Sequence, residues 1–101
     1  MPVYIALGSN LGDPVSNIER AFVELQKLSE EPIRKSSLWR SAPLDCPPGS
    51  PDFINAAISL ESLERETPES LLAKLQSVEM EFGRTSKKVL NEPRTLDLDI
   101  I

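Results

Sequence analysis

A chain of 101 residues, 40% hydrophobic and 27% charged, is long enough for one domain around a single core. Its net charge of −5 argues against a broad basic surface for nucleic acid or an anionic membrane, although positive charge held locally still allows a nucleotide. The single cysteine, Cys46, has no intrachain disulfide partner, and no stretch has signal-peptide character or membrane-spanning length, so a soluble, cytoplasmic, monomeric protein is expected.

Val3 to Leu7 is a short apolar run stopped by Gly8-Ser9-Asn10, which predicts a buried strand entering a turn, with Gly8 and Gly12 supplying positive φ. Asp13 offers an N-cap and Pro14 a first helical residue. Ile18, Phe22, Leu25 and Leu28 form the buried stripe of the helix, and Glu30-Glu31-Pro32 ends it. A Gly-Ser-Asn turn ahead of a helix also has the free N–H groups of a phosphate cradle. It lacks the lysine and glycine spacing of a P-loop, and a structural turn is the better reading.

Ile33 to Trp39 predicts a second strand and Phe53 to Leu60 a third, with Ile54, Ala56, Ile58 and Leu60 on one face. Between them, Ser41 to Asp52 carries four prolines and a glycine, which predicts a stiff surface loop. Thr67-Pro68-Glu69 starts a second helix whose buried stripe is Leu71, Leu75, Val78 and Phe82, and Gly83 terminates it. Arg84 to Glu92 is polar and without period. In the last strand Leu96, Leu98 and Ile100 alternate with Asp97 and Asp99. The order β-α-β-β-α-β predicts an α+β, ferredoxin-like sandwich: a four-stranded antiparallel sheet with both helices on one face.

On such a strand Asp97 and Asp99 point the same way, about 7 Å apart at their Cα atoms. Two hard oxygen donors at this spacing suit magnesium and, through it, a polyphosphate. The alternative is an amphipathic strand whose outer face is acidic, although aspartate is depleted in strands and like charges on one face repel. Asn55 and Phe53 lie two apart and share a face. An amide beside an aromatic ring suits a flat heterocycle, but Phe53 is equally explained as core. The segment before the last strand sets Arg84, Lys87, Lys88 and Arg94 against one acid, Glu92. Charge runs are usually solvated; this one flanks two carboxylates, as a diphosphate site requires.

Pro93-Arg94-Thr95-Leu96-Asp97-Leu98-Asp99-Ile100 resembles the signature of the 6-hydroxymethyl-7,8-dihydropterin pyrophosphokinases of folate biosynthesis. Tyr4 to Gly12 is similar to that family's first strand and turn, Ser41-Ala42-Pro43-Leu44 to its pterin loop, and Pro51 to Ala57 to its third strand. The resemblance implies diphosphate transfer from ATP to the pterin hydroxymethyl group, with release of AMP. It implies stacking by Phe53, hydrogen bonding by Asn55, and recognition by backbone around Ser41, Ala42 and Leu44. Asp97 and Asp99 would bind two Mg2+ ions, and Arg84 and Arg94 would contact phosphate. Gln76 and Glu79 fall where the family contacts nucleotide, and both are equally read as ordinary surface side chains.

The chain departs from the family at two places. Asn91 stands where an aromatic residue is usual, and Glu92 where a small one is. Family proteins also continue past the aspartate strand into a segment with histidine and further arginines, whereas this sequence has no histidine and ends at Ile100-Ile101, which reads as an interrupted chain. Two functional classes therefore stand: a pyrophosphokinase, or a non-catalytic ferredoxin-like module that keeps a pterin or magnesium site without ATP. Single-stranded RNA binding is disfavoured by an acidic sheet face expected to lack paired aromatics.

Overall fold

A computed structural model describes residues 2–42, 48–49, 51–83 and 95–101. Both helices begin as their caps predict. Asp13 Oδ1 accepts from Ser16 N at 3.2 Å, and Pro14 opens α1 (Pro14–Gln26). Thr67 Oγ1 accepts from Ser70 N at 3.1 Å while Ser70 Oγ accepts from Thr67 N at 2.9 Å, and Pro68 opens α2 (Pro68–Glu81). This reciprocal capping box satisfies two amides that have no intrahelical partner. Thr67→Ala should cost about 1 kcal/mol and lower the thermal midpoint by about 5 °C, checked by calorimetric melting. Gly83 ends α2 at φ +92°, a conformation that side chains other than glycine's resist.

The α2 cap also holds an ion pair. Lys74 Nζ donates to Glu66 Oε1 at 2.8 Å, and Ser70 Oγ donates to the same carboxylate. The lysine first, and the serine second, hold the Glu66 carboxyl below its ordinary value. Its stabilising contribution is therefore present above the ordinary carboxylate range and is lost as pH falls through the lowered value.

The sheet contains β1 (Pro2–Ser9), β2 (Arg34–Lys35), β3 (Trp39–Ser41), β4 (Phe53–Glu61) and β5 (Asp97–Ile100). The order is β2-β4-β1-β5, with β3 also on β4, and every pairing is antiparallel. β2 and β3 occupy successive stretches of one edge of β4, so they are the expected second strand in two pieces. Ser36 makes the break. Its Oγ accepts from Ala57 N at 2.8 Å, the place a strand carbonyl would take, and donates to Ser37 O. The four-stranded ferredoxin-like expectation thus holds, with the Ile33–Trp39 strand corrected to an interrupted one reaching Ser41.

Alternation sorts the sheet into two faces. Ile5 and Leu7 of β1, Ala56, Ile58 and Leu60 of β4, and Leu98 of β5 join Leu96 in the buried core. Ile18, Ala21 and Leu25 of α1 and Leu71, Leu75 and Val78 of α2 complete it, with Phe82 just beyond the helix end. Each of the larger side chains, from valine to phenylalanine, contributes about 1.5–3 kcal/mol by leaving water. Both helices therefore cover one face. Tyr4, Ala6, Gly8, Asn55, Ala57, Asp97 and Asp99 belong to the other.

The first strand is longer than the sequence predicts. Gly8 and Ser9 are paired with Asn55 and Ile54, so Gly8 is a strand residue and the positive φ of the turn falls on Gly12, at +74°. Ladder hydrogen bonds on both edges of β1 outweigh the weak strand preference of glycine. The polar residues of the turn are buried and bonded internally. Asn17 Nδ2 donates to Ser9 Oγ at 3.2 Å and Leu11 O at 2.9 Å, and Asn10 Nδ2 to Pro51 O at 3.2 Å. That is the structural turn the sequence favoured. No helix among the described residues is long and apolar enough to cross a membrane.

Candidate active site

The register lines up one row across the open face. Asp97 pairs with Gly8, Gly8 with Asn55, and Asn55 with Trp39, across β5, β1, β4 and β3. Directly paired residues present their side chains on the same side of a sheet, so the four share a face. Asp99, Ala6 and Ala57 form the next row on that face. Between Asp97 and Asn55 lie two strand spacings, about 10 Å, floored by a residue with no side chain.

That missing side chain matters. A Cβ on Gly8 would meet Phe53 Cδ1 at 3.4 Å and Asn55 Oδ1 at 3.6 Å. The Phe53 ring and the Asn55 amide therefore border the open space above Gly8. Phe53 is half-buried and is not among the side chains of the apolar core. Asn55 Nδ2 donates to Ser41 Oγ at 2.9 Å and to Trp39 O at 3.2 Å, using both amide hydrogens and turning Oδ1 toward the gap. The site consequently has a fixed acceptor on one flank, an aromatic ring beside it and carboxylates on the other flank.

Other predicted site residues separate. Ser41 is half-buried on β3 and Ala42 is exposed beside it. Leu44, Arg84 and Arg94 lie outside the described residues, as do Cys46, Lys87, Lys88, Asn91 and Glu92. Gln76 is exposed. Glu79 is not on the surface: only 5% of it is accessible, and its Oε2 accepts from Leu98 N at 2.7 Å. The sequence did carry a signal for this, because Glu79 falls four residues after Leu75 and three before Phe82, within the apolar stripe. A carboxylate at such a position needs a partner. Trp39, 49% exposed, lies on the same face as Phe53, and the register sets it opposite Asn55 while Phe53 stands opposite Ser41.

The carboxylates fit a hard cation in one way. Among the described residues no group of three or more metal-ligating side chains exists. Two aspartates on one exposed strand face suit magnesium that takes its remaining ligands from phosphate and water. A cavity of about 830 Å³ lies elsewhere, between α1 and the β2 edge, lined by Phe22, Ile33 and Leu38 among others. Its lining holds one acid, Glu19, and one amide, Gln26.

Residues 4–101 match the family model of 7,8-dihydro-6-hydroxymethylpterin-pyrophosphokinase. The chain belongs to this family. It is 41% identical over 99 residues to the 2-amino-4-hydroxy-6-hydroxymethyldihydropteridine pyrophosphokinase of Haemophilus influenzae, covering 97% of this chain and 59% of that protein. The protein of the same name from Pseudomonas aeruginosa is 40% identical over 100 residues, covering 98% of this chain and 59% of that one. A mitochondrial folate synthesis bifunctional protein of Pisum sativum is 36% identical over 99 residues, which is 98% of this chain and 18% of that protein. This pyrophosphokinase-family chain thus spans about three fifths of the length of the two bacterial relatives.

Proposed function

We propose that the open face binds 6-hydroxymethyl-7,8-dihydropterin and ATP and transfers diphosphate between them. The observation that carries this reading is the row Asp97–Gly8–Asn55–Trp39, with Asp99 in the row beside it. A flat pterin ring in the space above Gly8 would stack on Phe53 and donate an N–H to Asn55 Oδ1. Ser41, whose hydroxyl already orients that amide, and the backbone at Ala42 and Leu44 complete the recognition in this proposal. The hydroxymethyl group then faces the aspartates.

In the reaction the hydroxymethyl oxygen attacks the β-phosphorus of ATP and forms a new O–P bond. The bond from the β-phosphorus to the oxygen bridging it to the α-phosphorus breaks, AMP leaves, and the hydroxyl proton passes to an aspartate or to water. Asp97 and Asp99 would hold two magnesium ions, which neutralise phosphate charge when bound. Arg94, next to Pro93 ahead of the aspartate strand, and secondly Arg84, next in sequence to the helix-ending glycine, are assigned phosphate contacts. Holding nucleophile and phosphate in line is the chain's own contribution to rate.

Because the chain spans only part of its bacterial relatives, a second reading remains: a module that binds pterin without turning over ATP. Incubating the chain with ATP, magnesium and the pterin and measuring products by 31P NMR separates the two. Equal amounts of AMP and pterin diphosphate support the enzyme. Pterin binding by fluorescence without AMP supports the module, and the absence of both signals contradicts the site itself.

Gly8→Ala tests the floor of the site. Its Cβ meets only ordinary van der Waals neighbours, so the fold should hold and the melting temperature change little. It fills the space beside Phe53, however, so pterin affinity should fall by at least about tenfold, about 1.4 kcal/mol, in a fluorescence titration.

A further inference from the structure

The geometry points to Glu79 as a positioning residue that sets the register of the aspartate strand from the helix layer, a role that rests on the function proposed above. β5 is four residues long and is hydrogen-bonded to β1 on one side. Ile101 N donates to Tyr4 O at 2.9 Å, so the inward-bonding residues of this ladder are those in step with Ile101, namely Asp99 and Asp97. Leu98, between them, directs its N–H away from β1. The Glu79 carboxylate, 5% exposed, receives that N–H at 2.7 Å. One buried acid of α2 therefore grips the backbone midway between the two aspartates, on the edge that no other strand of the described sheet covers.

The consequence follows from the period of a strand. A one-residue slip of β5 along β1 would turn Asp97 and Asp99 into the helix layer and Leu98 out to solvent. Apolar contacts of Leu96 and Leu98 resist this, and the Glu79–Leu98 bond adds a directional constraint at the site's own backbone. Glu79 thereby acts on the cation site through the strand, a role distinct from the nucleotide contact that the family resemblance implies for it. The sequence could not separate those roles, because it places Glu79 beside Gln76 without showing what either one meets.

The test uses the 101-residue chain, amide hydrogen exchange at Leu98, and Mn2+ affinity by electron paramagnetic resonance. Glu79→Ala is expected to speed Leu98 exchange and weaken Mn2+ binding, each by at least about tenfold. Glu79→Gln, whose amide oxygen can accept the same N–H, should remain within about threefold of the unsubstituted chain on both readouts. The inference is overturned if Glu79→Ala binds Mn2+ as well as the unsubstituted chain does, or if Glu79→Gln falls with it, since charge and not the backbone bond would then matter. Should Glu79→Ala fail to fold, the glutamine variant decides alone. An unsubstituted chain that binds no Mn2+ would contradict the proposed function instead, and Leu98 exchange would still decide whether Glu79 anchors the strand.

Discussion

Replacing Asp97 with alanine is expected to abolish magnesium-dependent binding of a nonhydrolysable ATP analogue, weakening it at least about 100-fold, or about 2.7 kcal/mol. Asp97 is the half-buried member of the acidic pair and stands directly across Gly8 from Asn55. Removing it leaves one carboxylate to hold a cation that must also meet phosphate, and magnesium gives up water reluctantly to so poor a ligand set. The fold should survive, because Asp97 lies outside the apolar core that Leu96 and Leu98 enter. Calorimetric titration measures the first effect and circular dichroism the second. A variant that binds the analogue normally would remove the metal from the account; one that unfolds would make Asp97 a structural acid.

The second large effect is on stability. Leu75→Ala should cost about 2–5 kcal/mol, the range for a fully buried leucine whose surroundings only partly collapse. Leu75 has no accessible surface and belongs to the core cluster formed with Leu71, Val78, Leu96 and Leu98. A domain of this size has about 5–15 kcal/mol of stability in all, so the loss is a large fraction of it. Urea denaturation should show a lower midpoint with an unchanged slope. Since α2 packs against β5, the same change should loosen the strand carrying both aspartates. A loss below about 1 kcal/mol would mean that α2 is not packed as described.

Much of this architecture was legible because local signals agreed with one another. Asp13-Pro14 and Thr67-Pro68 marked both helix starts, and the stripe Leu71, Leu75, Val78 was buried as its spacing required. Alternation in Leu96-Asp97-Leu98-Asp99 set the aspartates on the face opposite the helices, which the pairing with Gly8 and Ala6 bears out. What was illegible depended on partners distant in sequence. Gly8 looks like turn chemistry beside Ser9 and Asn10, and only its place between Asn55 and Asp97 makes it the floor of a site. Ser36 breaks the edge strand through a side-chain bond to Ala57, twenty-one residues away. Glu79 falls within the apolar stripe of its helix, but the partner it meets there, Leu98 N, lies nineteen residues on and is not visible in the sequence.

In the function proposed above, the pterin lies over Gly8 and the aspartates hold the phosphate end. A crystal structure of the chain with magnesium, the pterin and a nonhydrolysable ATP analogue tests it in one measurement. The ring is expected between Phe53 and Asn55 Oδ1, with metal density touching both Asp97 and Asp99. A ring seated instead in the cavity between α1 and the β2 edge, or metal bound away from both aspartates, would contradict it.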